Sequence, residues 1–135
     1  MRRVTALILT WAGLIGLGVL GSGTANAESL TFRIQSKYQY KVQIEFYSQA
    51  RNAAWPGDNE AYNLNDSGVR EYNLNCQAGE KICYGAWVSG NQNTFWGAGL
   101  HARQSCASCC YTCDGSETPI IVLNNSSGDD DDDGD

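Results

Sequence analysis

Histidine occurs once in the 135 residues, at His101, and lysine and arginine together number nine. A single histidine leaves no H-E-x-x-H metalloprotease pair. The chain also lacks a G-x-S-x-G elbow and a glycine-rich phosphate loop opening a helix. Nucleophilic catalysis needs a nucleophile, a base and an orienting group. His101 with Cys106 is the pairing within reach in sequence, and a lone histidine at a strand end reads as a surface residue. Glycoside hydrolysis needs two facing carboxylates, whereas Glu45, Glu71 and Glu80 fall on expected outer faces or turns and read as solubilising groups. No window repeats at the helical period. Scarce, scattered positive charge excludes a phosphate-binding stripe, so a nucleic-acid partner is not expected.

The long apolar run stands at the start. Arg2 and Arg3 precede a nearly uninterrupted apolar stretch from Val4 to Leu20, followed by "ANA" at 25–27. Charged, apolar and small-residue regions in that order predict a signal peptide over 1–27, cleaved after Ala27. The run is slightly short for a membrane span, which needs about 20 residues, and nothing later is apolar enough to cross. The mature protein is expected in the periplasm or outside the cell. Its other end, "NNSSGDDDDDGD", carries dense like charge and no apolar residue after Leu123. Residues 125–135 are therefore expected to be a disordered acidic tail. Asp129, Asp131, Asp133 and Gly134 match a calcium-loop pattern, but no helix flanks them and no closing glutamate follows. Between Glu28 and Asn124, nine acidic residues face seven basic ones, so the domain proper is close to neutral.

Six cysteines remain: Cys76, Cys83, Cys106, Cys109, Cys110 and Cys113. The run C-x-x-C-C-x-x-C suits zinc in outline. However, zinc pairs are usually set apart by a spacer, and adjacent Cys109 and Cys110 make a tetrahedron drawn from so short a stretch awkward. A redox pair needs a helix after its first thiol, and "YTCDGSETP" is turn-rich. In an exported small domain an even number of cysteines predicts structural disulfides. Cys76 and Cys83 could close a hairpin, or each could reach the later cluster; the spacing leaves both open. No metal and no cofactor are expected.

Strand periodicity dominates residues 28–124. Leu30, Phe32 and Ile34 alternate with polar neighbours, as do Val42, Ile44 and Phe46, and Tyr72, Leu74 and Cys76. The polar "QSKYQY" predicts a hairpin between the first two strands. "KICYGAWVSG" is poor in charge on both faces, which predicts a central strand with Cys83 and Trp87 on one side. "TFWGAGLHA" is strand-like, with Gly97 and Gly99 implying a bulge or a close backbone approach. "TPIIVLN" closes the domain as a strand apolar on both sides. Short strands joined by turns predict an all-β fold, a small antiparallel β-sandwich or barrel stapled by disulfides.

The motifs Phe46-Tyr47-Ser48, Trp55-Pro56-Gly57, Gly79-Glu80-x-Ile82-Cys83-Tyr84-Gly85-Ala86-Trp87, Trp96-Gly97-x-Gly99 and the run from Cys106 to Cys113 span nearly the whole mature domain. On these motifs the chain resembles a group of short exported proteins of Gram-negative bacteria. The resemblance implies export and a small β domain, and carries over no catalytic residue.

Function is then expected to be binding or structural, in the cell envelope or the secretome, rather than enzymatic. Exposed aromatics beside amides suit sugars or proteins. Trp55, Tyr62 and Trp96 are the candidate ligand-binding residues of an alternative carbohydrate-binding module. A cysteine-rich metal-binding or redox protein is the other alternative. A protein or glycan partner is compatible with either of the binding readings.

Overall fold

The computed structural model describes residues 26–124. The expected signal segment, apart from Asn26 and Ala27, and the acidic tail with its calcium-loop pattern lie outside the described residues. Among those described, no helix is long and apolar enough to cross a membrane.

The fold is all-β, two sheets stacked face to face. Among the described residues nine strands run in order: β1 (Ala27–Ser36), β2 (Val42–Ser48), β3 (Ala54–Trp55), β4 (Tyr62–Leu64), β5 (Val69–Gln77), β6 (Lys81–Val88), β7 (Asn91–Gly97), β8 (Cys110–Thr112) and β9 (Glu117–Leu123). The smaller sheet has the order β5-β1-β9, and the larger runs β3-β2-β6-β7 with β4 also on β2 and β8 also on β6. β1 starts one residue before the domain boundary expected at 28.

Period-two alternation makes this packing. Leu30, Phe32 and Ile34 of β1 and Val42, Ile44 and Phe46 of β2 are all buried at 0–1 % exposure. Each belongs to the same apolar layer between the sheets. The Phe32 and Phe46 rings meet across that layer with centroids 4.5 Å apart. Side chains of this size contribute about 1.5–3 kcal/mol each when fully buried, so the layer drives folding.

One expectation about pairing needs correction. β1 and β2 do not form a hairpin: β1 pairs with β5 and β9, and β2 with β3, β4 and β6. "QSKYQY" is a crossover between sheets, because both strands are apolar on one face and bury those faces against each other. The other strand pairs are antiparallel as expected, and β9 adds one parallel pair at the β1 edge. β9 is apolar on both sides, yet only one side is covered. Thr118 and Leu123 are buried, whereas Ile120 and Val122 are 42 % and 39 % exposed on an edge strand.

Two edges of the larger sheet are split. Along one side of β2, β4 pairs with Val42–Ile44 and β3 with Phe46 and Tyr47. Along the far side of β6, β7 pairs with Gly85–Val88 and β8 with Lys81–Cys83. In each case the chain between the two short strands leaves the edge. The segment 98–109 folds back over the outer face of β6. A Cβ on Gly85 would stand 2.1 Å from the Gly99 carbonyl oxygen and 2.8 Å from the Tyr47 ring. The Ala98 amide donates to the Tyr84 carbonyl at 2.9 Å, and the Tyr84 amide to the Cys109 carbonyl at 3.0 Å. This second cover explains why β6 is poor in charge on both faces. Gly85→Ala is expected to destabilise the domain at or above the upper end of the roughly 1–3 kcal/mol typical of overpacking, because the obstacle is backbone. Urea denaturation checks the size, and amide shifts confined to 97–104 check the cause.

Candidate functional site

A groove lies over the outer face of β2, walled by the turn 56–61 on one side and by the 98–104 segment on the other. Its floor follows from the polar phase of β2, Gln43, Glu45 and Tyr47, with Trp87 opposite Gln43 on β6. Two adjoining hollows of about 510 and 570 Å³ make it up, sharing Glu45, Asn59, Glu60 and His101.

Both walls hold non-glycine residues in the left-handed region. Asp58 and Asn59 have φ of 55° and 58°, and His101 and Ala102 both 53°. Such backbone is uncommon outside glycine and persists where the surroundings impose it, often beside ligands. Asp and Asn tolerate it best, through short polar side chains. A tight 3-10 turn, Leu100–Ala102, carries His101 to the groove.

Glu45 is the chemical centre. It is 4 % exposed, and its Oε2 lies 3.8 Å from Nδ1 of half-exposed His101, too far for a hydrogen bond. Tyr47 Oη donates to the Gly99 carbonyl at 3.2 Å. Burial first, and the neighbouring Glu45 carboxylate second, push the Tyr47 hydroxyl well above the ordinary tyrosine range, so it stays protonated. Trp87 is buried on the same face as Cys83, as its place on β6 predicts, and its Nε1 donates to Gln43 Oε1 at 3.2 Å.

The expectation that Glu45 and Glu80 are solvated groups is overturned: both are buried. The split edges lay loops over positions that alternation alone assigns to solvent. Glu80 opens β6 from the turn after β5 and is fully engaged. Its Oε1 accepts from Ser48 Oγ and from Arg51 Nε at 2.6 Å, and its Oε2 from the Gln77 amide at 2.9 Å. It is a structural carboxylate. Glu71 does remain on the surface, 3.4 Å from Arg33.

The three aromatic candidates share the inner face of the larger sheet, but on opposite flanks of it and away from the groove. Trp55 stands opposite Phe46, Tyr62 opposite Ile44 and Trp96 opposite Ala86. Cross-strand partners share a face, so all three point into the layer between the sheets. Trp96 is 8 % exposed and stacks edge-on with Tyr38 at 5.2 Å. Tyr62 packs on Tyr72 at 4.6 Å, and Trp55 is half-buried against the core beneath the Arg51 guanidinium. Alternation in β7 and the β2 register decide this, and neither Trp55 nor Tyr62 lies in a run long enough to show its phase. The groove residues that sequence reasoning passed over, Asn59, Glu60 and the Glu45–His101 pair, are joined only by the two returning loops.

All six cysteines are paired: Cys76–Cys113, Cys83–Cys110 and Cys106–Cys109. Cys76 and Cys83 therefore do not bond each other; each reaches the later cluster. Cys76–Cys113 lies in the core layer; Cys83–Cys110 ties β6 to the start of β8, where the 98–109 segment ends, and Cys106–Cys109 closes a short loop within that segment.

Comparison of the chain with family models, curated proteins and solved structures finds no match.

Proposed function

We propose that the protein is an exported, non-enzymatic binding module whose groove over β2 receives a positively charged group of a partner protein. The observation that carries this reading is the buried Glu45 carboxylate at the groove floor, whose only basic neighbour within 4 Å among the described residues is half-exposed His101, 3.8 Å away. A buried carboxylate is stabilised by a close, hydrogen-bonded cation, and a lysine or arginine entering the groove supplies one. Asp58 and Glu60 on the wall add the same sign of charge, and Gln43, Asn59 and Asn63 offer amides to the rest of the ligand. His101 faces a carboxylate rather than a hydroxyl or thiol, and the nearby Tyr47 hydroxyl is held protonated; both weigh for binding over catalysis. Three bridges in a domain of this size fit an oxidising compartment, which supports export.

Calorimetry and amide NMR with short arginine- or lysine-containing peptides test it. Shifts are expected at 43–47, 57–60 and 100–101. Glu45→Gln is expected to weaken binding roughly 10–100-fold, matching the 1.5–3 kcal/mol of a charge-assisted hydrogen bond. Equal affinity for the same peptides with glutamate in place of the basic residue would refute the reading.

A further inference from the structure

Sulfur is concentrated at one spot beneath the 98–109 segment. The Sγ atoms of Cys83, Cys109 and Cys110 all lie within 4.8 Å of one another, and those of Cys109 and Cys110 are 3.8 Å apart. Cys106 is bonded to Cys109, so its sulfur joins the same group. Four sulfurs from two bridges thus sit together on the outer side of the larger sheet. Cys76 and Cys113 pair elsewhere, in the core layer.

Thiolates about 2.3 Å from a zinc ion at a tetrahedron's centre stand about 3.8 Å from each other, the separation that Cys109 and Cys110 have. Their adjacency weighs against a tetrahedron drawn from residues 106–113 alone. It ceases to matter once the fourth ligand comes from Cys83 on β6 instead of Cys113. A hollow of about 300 Å³ lined by Tyr47, Gln49, Cys83, Gln104, Ser105 and Cys106 reaches the group from outside. Cys106 and Cys110 are half-buried, whereas Cys113 is wholly buried, so a reductant meets the outer bridges first. Gln49 Nε2 donates to Cys110 Sγ at 3.3 Å, the kind of outer-shell bond that orients a ligand and favours its charged form.

The geometry points to a second, reduced state in which Cys83, Cys106, Cys109 and Cys110 bind one zinc ion. A dithiol reductant opens the two bridges. Each bridge takes two electrons and two protons, and each dithiol leaves as its own disulfide. Zinc then forms four Zn–S bonds as the thiols release up to four protons to solvent. A disulfide oxidant, reduced to two thiols for each bridge it closes, takes two electrons from each cysteine pair, re-forms the S–S bonds and expels the ion. The oxidised protein ties the C-terminal end of the 98–109 segment to β6 through Cys83–Cys110 alone, and the reduced protein ties Cys106 and Cys109 to β6 as well, through the metal. None of the four sulfurs lines the groove, and the site stands whether or not the groove binds a cation.

Cobalt(II), a spectroscopic stand-in for zinc, tests it under anaerobic conditions on the mature chain in which limiting phosphine has opened the two outer bridges and left Cys76–Cys113 closed. One cobalt per chain is expected, with the visible bands of tetrahedral thiolate coordination, and no such bands before reduction. Cys83→Ser is expected to weaken binding by more than the roughly 10–100-fold that loss of an outer-shell partner costs, and Cys113→Ser to leave it unchanged. A chain unfolded by reduction would instead chelate through the contiguous run 106–113, so Cys113 would matter and Cys83 would not. That outcome overturns the site, as does a reduced protein without thiolate bands or one in which Cys113→Ser weakens binding as much as Cys83→Ser.

Discussion

Replacing Cys76 and Cys113 together by alanine is expected to cost about 4 kcal/mol of folding stability, the largest effect of any bridge. The two residues are 37 apart in sequence, and in the chain-entropy account a closed loop of that length restrains the unfolded state by about 4 kcal/mol at 25 °C. Cys106–Cys109 closes a separation of only three residues, for which the same relation gives about 2 kcal/mol. Packing widens the gap. Cys76 and Cys113 are 5 % and 0 % exposed within the apolar layer, so their loss also leaves a void, whereas Cys106 is half-buried in a surface segment. With total stabilities of about 5–15 kcal/mol for ordinary domains, the first double variant is expected near its folding limit and the second well folded. Urea denaturation of Cys76→Ala/Cys113→Ala against Cys106→Ala/Cys109→Ala decides it. Equal losses, or a larger loss from the second, would show that loop length and burial do not set the ranking.

Glu80 carries the second large effect, and it depends on pH. The Arg51 guanidinium, against the opposing effect of burial and together with the Gln77 amide and the Ser48 hydroxyl, holds its carboxyl at about 2, below its ordinary value of 4.5. The folded protein therefore binds the proton more weakly than the unfolded chain does. Stability from Glu80 is fully present above pH 4.5 and is lost as pH falls from there toward about 2. With the Glu80 side chain 1 % exposed, the contribution is on the order of 2–3 kcal/mol. Glu80→Gln keeps the shape but not the charge. It is expected to lower stability by that amount at pH 7 and to flatten the profile between pH 4.5 and 2. Denaturant midpoints of both proteins across that range measure it, and parallel profiles would show that another group titrates there. The structural cause is specific: one carboxylate ties the β5–β6 turn to the residues after β2, by bonds to Gln77, Ser48 and Arg51.

Long strands were legible because alternation is local. β1, β2, β5 and β6 each present an apolar set at every second residue, and those sets are buried as their spacing requires. β3 and β8, with two and three residues, are too short to display a period; they exist because β2 and β6 offer open edges. For the same reason Trp55 reads as a turn residue from its Pro-Gly neighbours, yet stands in a strand facing the core. Glu45 sits in the polar phase of β2 as alternation requires. Its burial comes from residues more than ten positions away, on the turn 56–61 and the 98–104 segment. The candidate groove was therefore out of reach of sequence reasoning, although each floor residue was assigned to the right face.

By itself the sequence determined the all-β class, the inward and outward sides of the principal strands, and the commitment of six sulfurs to one another. Each of these rests on residue identity, on a two-residue repeat or on the even count and spacing of the cysteines. Tertiary structure alone decided which strands pair, which sulfurs bond, and which polar residues lie under the returning loops. Those outcomes depend on distances between segments remote in the chain, and such distances are set only when the two apolar faces close on each other.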